Sequence, residues 1–134
     1  MQLSKVKIVV IDDYEPWRRF VASTLEERPE LQIVGEAADG LEAVKRVQQF
    51  RPELILLDIG LPKLNGIDAA RRIRERAPNT RILFCSQNRS RDIAGEAMQT
   101  GDAYVVKAGG AGELLAAVDA VLQGKRFVSP LLDE

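Results

Sequence analysis

Histidine is absent from this 134-residue chain, and cysteine occurs once, at Cys85. The lack of histidine excludes imidazole acid–base catalysis, imidazole metal ligation and a phosphohistidine on this chain. A single cysteine cannot form an internal disulfide, which favours a reducing compartment. No apolar run approaches the ~18 residues that span a bilayer, and the first residues lead into a predicted strand without a signal-peptide pattern. We therefore expect a cytoplasmic protein with no membrane association.

The chain also has no excess of charge of either sign, because its 19 basic and 20 acidic residues give a net charge of -1. A DNA-binding domain that acts alone normally carries a strong positive charge, so we expect no DNA binding by this chain alone. The length fits one domain that buries roughly two thirds of its unfolded surface. We assign that domain to residues 1–124 and interpret residues 125–134 as a C-terminal tail or the start of a linker.

Short apolar runs alternate with longer segments of helical period along the chain. The runs predict five strands, at residues 5–11, 32–37, 54–58, 81–85 and 103–106. The intervening segments predict five helices, which begin at Pro16, after Asp39, at Gly66, after Ser90 and at Gly112. This alternation predicts an α/β fold of the flavodoxin-like (βα)5 type, with a doubly wound five-stranded parallel sheet in the order 2-1-3-4-5.

Polar residues follow four of the predicted strands directly: Asp12 and Asp13, Asp58, Ser86, and Lys107. Parallel strands bring these positions to one carboxyl edge of the sheet, where ligands bind in such folds. Three nearby carboxylates repel one another and raise at least one pKa unless a cation intervenes. Oxygen ligands in a shallow cleft suit Mg²⁺, with Mn²⁺ as the alternative. Asp58 is a candidate nucleophile towards a phosphoryl group, which the Lys107 ammonium and the Ser86 hydroxyl would contact.

Other features favour structural interpretations. Trp17 and Phe20 lie on the apolar face of the first helix and are expected in the core. The basic run Arg71, Arg72, Arg74 and Arg76 is expected on a solvated helix face. The stretch Gly109–Gly112 lacks the lysine and hydroxyl residue of a phosphate-binding loop, so a flexible helix entry is expected there.

The residues at the strand ends resemble those of a known family. The acidic pair occurs in Ile11-Asp12-Asp13. Asp58 is followed by Pro62 four residues later and by Gly66 eight residues later. The remaining matches are Ser86, Tyr104 and Lys107. Over residues 5–123 the chain resembles the receiver domain of two-component response regulators. The segment from Val121 to Pro130 further resembles the NarL/FixJ-like branch, whose receivers usually lead into a DNA-binding helix-turn-helix.

The resemblance implies a phosphorylation-dependent signalling module. Asp58 would accept a phosphoryl group from a sensor histidine kinase or a phosphotransfer protein, with Lys107 and Ser86 assisting. The ligands of Mg²⁺ would be Asp12, Asp13, Asp58 and the Gly60 carbonyl. Ser86 and Tyr104 would act as switch residues that remodel the surface of the fourth helix, fifth strand and fifth helix, and phosphorylation would promote a homodimer.

Two alternatives stay open. The first is a phosphatase or phosphotransferase that forms an aspartyl phosphate and turns over an outside substrate. The second is a pseudo-receiver that binds partners without phosphorylation. The intact set of Asp58, Ser86 and Lys107 argues against the pseudo-receiver. One departure keeps it open, because only Asp102 and Ala103 separate Gly101 from Tyr104, one residue fewer than the family pattern has.

Overall fold

A parallel sheet of six strands forms the centre of the computed structural model, which describes residues 5–134. The strands are β1 (Val6–Ile11), β2 (Leu31–Ala37), β3 (Leu54–Leu57), β4 (Arg81–Ser86), β5 (Ala103–Val106) and β6 (Phe127–Val128). Their order is β2-β1-β3-β4-β5-β6. The predicted α/β fold and the order of the first five strands are therefore confirmed, and β6 is a short addition at one edge.

Five helices connect the strands of the sheet: α1 (Glu15–Leu25), α2 (Gly40–Phe50), α3 (Gly66–Arg76), α4 (Arg91–Met98) and α5 (Gly110–Leu122). Side chains cap three of them, since Asp39, Asn65 and Ser90 each accept a hydrogen bond from the backbone three residues on. Sequence patterning identified two of these caps. Helix α5 begins two residues earlier than predicted, because Gly110 adopts a φ of 70° and joins it directly to a short 3-10 turn.

Both faces of the sheet are buried, as β1 illustrates. Its side chains alternate, with Val9 and Ile11 on one face and Ile8 and Val10 on the other. Helices α2, α3 and α4 cover the first face, and α1 and α5 cover the second. This two-sided burial explains why the central strands are near-continuous apolar runs in the sequence. No helix in the described part of the chain is long and apolar enough to cross a membrane.

Arg74 has a structural role that the sequence interpretation missed. Its guanidinium donates to the carbonyls of Thr80 and Thr100 and pairs with the Asp102 carboxylate at 3.2 Å. Asp102 also accepts a hydrogen bond from the Ile82 amide at 2.8 Å. The prediction of a solvated face is therefore wrong for Arg74, which joins the end of α3 to β4 and to the short loop before Tyr104.

The segment after α5 returns to the sheet. Within β6, Val128 pairs with Tyr104 of β5, and the Ser129 amide then donates to the Tyr104 carbonyl at 2.8 Å. The Leu132 side chain is buried in the core on the α4 side of the sheet. The sequence indicated only a tail or linker over residues 125–134, because a two-residue strand has no detectable periodicity.

Candidate functional site

The polar residues predicted at the strand ends converge on one cleft. Asp12 follows β1, Asp58 follows β3, Ser86 ends β4 and Lys107 follows β5. These strands are neighbours in the sheet, so their carboxyl ends lie side by side. Together with Asp13, these side chains line a cleft of about 700 Å³. The structure thus brings together the sequence-predicted residues at this edge.

The acidic residues of the cleft form a compact group. One carboxylate oxygen from each of Asp12, Asp13 and Asp58 lies within 4.8 Å of the other two. Asp12 is buried, Asp58 is half-buried and Asp13 is exposed at the mouth of the cleft. Gly60 also lines the cleft and is exposed. The group offers several hard oxygen donors and open space beside them, which fits a hydrated divalent cation such as Mg²⁺.

The Lys107 ammonium lies beside two of the three carboxylates. Its Nζ is 2.6 Å from Asp12 Oδ2 and 3.6 Å from Asp58 Oδ2. The other oxygen of Asp12 accepts a hydrogen bond from the Tyr14 amide at 2.9 Å. Lys107 therefore offsets charge on two carboxylates and is more closely paired with Asp12 than with Asp58.

Asp58 sits in an environment that disfavours its ionised form. Burial raises the pKa of its carboxyl above the ordinary value of 3.8, the Lys107 charge opposes that rise, and the Asp12 charge adds to it. Asp58 Oδ1 accepts a hydrogen bond from the Ile59 amide at 2.8 Å, which favours the ionised form. Sequence reasoning predicted a raised carboxyl pKa in this cluster. The direction is confirmed, but burial and not mutual repulsion is the main cause.

The geometry of the loop after β3 explains why a glycine stands at position 66, eight residues after Asp58. The Gly66 amide donates to the Ile59 carbonyl at 2.7 Å, which draws the start of α3 against the backbone of Asp58. A Cβ atom at position 66 would lie 1.9 Å from the Asp58 carbonyl oxygen. Only glycine therefore permits this close approach, and the loop that carries Asp58 depends on it.

Ser86 and Tyr104 are linked through the backbone of Asn88. The Asn88 amide donates to Ser86 Oγ at 3.0 Å, and the Tyr104 hydroxyl donates to the Asn88 carbonyl at 2.7 Å. The Tyr104 side chain is buried, and burial raises its pKa above the ordinary value of 10.0. Despite the shortened loop before it, Tyr104 is in register with Phe84 of β4 and points inward.

Three further residues support the site and were not identified from the sequence. The Trp17 ring lies under the Lys107 ammonium, with 5.0 Å between Nζ and the ring centroid. Arg18 donates to the Asp12 carbonyl at 2.6 Å. Glu113 accepts hydrogen bonds from the Val106 amide at 3.1 Å and from Ser129 Oγ at 3.0 Å, tying the residue before Lys107 to the C-terminal segment. The one available signal was Pro16, which lies in the first turn of α1 and indicates that this helix begins close to the acidic pair.

Comparison with known proteins identifies the family. A family model for the response regulator receiver domain matches residues 8–119. The chain belongs to this family. The receiver domain is 34% identical to the transcriptional regulatory protein DegU of Brevibacillus brevis over 128 residues, which are 95% of this chain and 54% of that protein.

Solved structures agree with this assignment. A LuxR-family two-component response regulator from Aurantimonas sp. SI85-9A1 is 33% identical, with a TM-score of 0.90 over 95% of this chain and 91% of that one. The signal receiver domain of the response regulator NarL from Mycobacterium tuberculosis is 30% identical, with a TM-score of 0.86 over 92% of this chain and 100% of that one. The predicted NarL-like branch is therefore confirmed. The receiver domain spans about half the length of curated relatives such as DegU and the response regulator GacA of Pseudomonas syringae.

Proposed function

We propose that this receiver domain accepts a phosphoryl group on Asp58 from a histidine kinase or phosphotransfer protein. The observation that carries the proposal is the position of the Asp58 carboxylate, within 4.8 Å of oxygens of Asp12 and Asp13 and 3.6 Å from the Lys107 ammonium. A carboxylate beside an ammonium and a cation site has the partners that an acyl phosphate needs.

The proposed reaction is a transfer between two nucleophiles. An Asp58 oxygen attacks the phosphorus, the new O–P bond forms, and the N–P bond of the donor phosphohistidine breaks to release the imidazole. The Lys107 ammonium and the Ser86 hydroxyl then interact with phosphoryl oxygens, a role supported by their place on the walls of the same cleft. The nucleophile must be ionised, and the Lys107 charge favours that form by opposing the rise that burial causes in the pKa of Asp58.

The acidic group is proposed to hold Mg²⁺ through Asp12, Asp13, Asp58 and the Gly60 carbonyl. A bound divalent cation would supply positive charge to the transferred phosphoryl group. Asp13 is the carboxylate best placed to bind it without losing another contact, since the Asp12 carboxylate already accepts bonds from Tyr14 and Lys107.

Mg²⁺ is expected to raise the free energy of unfolding by about 2.7 kcal/mol at ~100 times its dissociation constant, because it binds only the assembled site. Asp13→Ala should lose most of this gain. Thermal melts in chelator and in excess Mg²⁺ measure the effect. Asp92→Ala is the matched control, because Asp92 is an exposed carboxylate on α4 outside the acidic group. Equal gains for Asp13→Ala and the wild type would contradict the metal assignment.

Incubation of the 134-residue protein with a small phosphodonor and Mg²⁺ tests the phosphorylation proposal. Intact mass spectrometry should show the addition of one phosphoryl group, and peptide mapping should locate it on Asp58. Chelation of the metal should suppress labelling. An unlabelled folded protein would support the pseudo-receiver alternative, and steady-state hydrolysis of a small phosphate ester would support the phosphatase alternative.

Phosphorylation is proposed to remodel the surface formed by α4, β5 and α5. The support is the chain of contacts from Ser86 through Asn88 to Tyr104, whose carbonyl accepts from Ser129 of the C-terminal segment. The adjacent Arg89 donates to the Leu131 carbonyl at 2.9 Å, so that segment contacts the same loop. A change at Ser86 is therefore expected to reach the loop that leads into α4, where the Ser90 amide donates to Asn88, and the segment after α5.

A homodimer that forms on phosphorylation is proposed as one output of this surface. Sedimentation velocity with and without beryllofluoride tests it, and an unchanged monomer over a wide concentration range would contradict it.

A longer regulator of the transcription type, in which a DNA-binding domain follows this receiver, is supported by the NarL- and LuxR-type relatives. It is also supported by DegU, since the match covers only 54% of that protein. DNA binding is then assigned to that further domain and not to residues 1–134.

A further inference from the structure

Trp17 contacts the one lysine of the proposed site and has no part in the mechanism described above. The Lys107 Nζ lies 5.0 Å from the centroid of its ring. Lys107 has a side-chain exposure of only 11%, so little water competes for its charge. A cation over an aromatic face is attracted by the ring quadrupole, and the attraction is strongest for tryptophan and for desolvated cations.

The Trp17 ring is held in place by its surroundings. The backbone amide of Trp17 donates to the Tyr14 carbonyl at 3.1 Å in the first turn of α1. The Phe20 ring packs against it, with 5.0 Å between ring centroids and a tilt of 31°. Trp17 is half-buried against the core on the α1 side of the sheet. The ring is therefore a fixed surface next to a flexible side chain.

The carboxylates that pair with Lys107 would also have to bind the divalent cation when it enters the site. In the structure the ammonium pairs with Asp12 at 2.6 Å, yet Asp12 is also a proposed ligand of the divalent cation. A carboxylate shared with a divalent cation holds an ammonium less strongly, and the two positive charges repel each other. The Trp17 ring is neutral and is not a metal ligand, so its attraction for Lys107 remains.

We infer that Trp17 is a positioning residue that keeps the Lys107 ammonium at the cleft when the cation occupies the carboxylates, ready to contact the phosphoryl group on Asp58. This inference rests on the proposed phosphorylation of Asp58. It predicts that the aromatic face of Trp17 affects the rate of phosphoryl transfer and leaves metal affinity unchanged, because Trp17 lies against the lysine and is not one of the proposed ligands.

The experiment compares the rate of Asp58 labelling by a small phosphodonor, at saturating Mg²⁺, in the wild type, Trp17→Leu and Trp17→Phe. Trp17→Leu should slow labelling by about threefold to thirtyfold, the range expected for loss of a cation–π contact. Trp17→Phe keeps an aromatic face and should retain most of the rate. The Mg²⁺ dissociation constant, obtained from thermal shifts, should stay within about twofold in all variants.

Phe127→Leu is the matched control. It removes a partly buried aromatic ring from the same cluster, but Phe127 lies in β6 at the edge of the sheet, whereas Trp17 packs against Phe20 and lies under Lys107. It should lower the melting temperature as Trp17→Leu does and leave the labelling rate within about twofold of the wild type. Equal slowing in Phe127→Leu and Trp17→Leu would show a merely structural effect and overturn the inference.

The outcomes separate this inference from the proposed function. A wild type that is labelled on Asp58, together with an unchanged rate in Trp17→Leu, would overturn the positioning role alone. A folded wild type that takes up no phosphoryl group would overturn the phosphorylation proposal and the positioning role with it. Slowing in Trp17→Leu with rescue in Trp17→Phe, at unchanged metal affinity, would support both.

Discussion

Asp58→Asn is expected to abolish phosphoryl-group incorporation while the domain stays folded. The amide has the size and shape of the carboxylate, but its oxygen is too weak a nucleophile to form a stable phosphoryl bond. Intact mass spectrometry after incubation with a small phosphodonor and Mg²⁺ measures the loss. Asp92→Asn, on the exposed side of α4, is the control and should label as the wild type does. Equal labelling of Asp58→Asn and the wild type would remove Asp58 as the acceptor.

The same variant is expected to be more stable than the wild type near neutral pH in chelator. Burial raises the folded-state pKa of Asp58 above 3.8, so its charged form disfavours the folded state at neutral pH. This penalty is complete above the raised pKa and disappears as the pH falls towards the ordinary value. The excess melting temperature of Asp58→Asn should therefore shrink on acidification. A variant that melts below the wild type at neutral pH would show that the ionised carboxylate stabilises the fold.

Gly66→Ala is expected to destabilise the domain by about 3 kcal/mol or more, at the upper end of the costs of overpacking. The new Cβ would lie 1.9 Å from the Asp58 carbonyl oxygen and 2.8 Å from Ile59 Cα. These are backbone atoms, which cannot rotate away as a side chain can. Either the start of α3 moves or the loop that carries Asp58 does. Urea unfolding monitored by circular dichroism measures the change.

Gly95→Ala is the matched control for that substitution. Gly95 is exposed in the middle of α4, and a Cβ there would meet no atom within 4 Å. Alanine is favoured over glycine inside helices, so this variant should be more stable by roughly 0.5–1 kcal/mol. The two substitutions make the same chemical change with opposite expected signs. Similar effects of both would show that the contact between Gly66 and the Asp58 backbone does not constrain the loop.

Local patterns were enough to predict the fold and most of the proposed site. The apolar runs before Asp12, Asp58, Ser86 and Lys107 identified buried parallel strands, and parallel strands bring their carboxyl ends to one edge. The convergence of these residues followed from strand order alone. The sequence also showed that Gly66 stands eight residues after Asp58. It did not show that a close approach of the two backbones requires glycine there.

Contacts between distant segments escaped sequence reasoning. Arg74 was assigned to solvent because it belongs to a run of arginines on one predicted helix. Arg71 and Arg72 are exposed as expected, but Arg74 bonds to Asp102, which is 28 residues away. The sequence interpretation missed β6 because a strand of two residues is too short to show a hydrophobic period. The link from Glu113 to Ser129 depends on that strand, since it brings Ser129 back to α5.

The sequence by itself determined which residues stand at the carboxyl edge of the sheet, because a residue that directly follows a buried apolar run lies at the end of that strand, and such a run is a property of a short segment. The tertiary structure alone decided which of those residues touch. Lys107 pairs at 2.6 Å with Asp12, 95 residues away, and lies 3.6 Å from Asp58. The ring of Trp17 came to lie beneath the same ammonium. Such pairings depend on side-chain rotamers and on how α1 packs on the sheet, and neither is encoded in a local pattern.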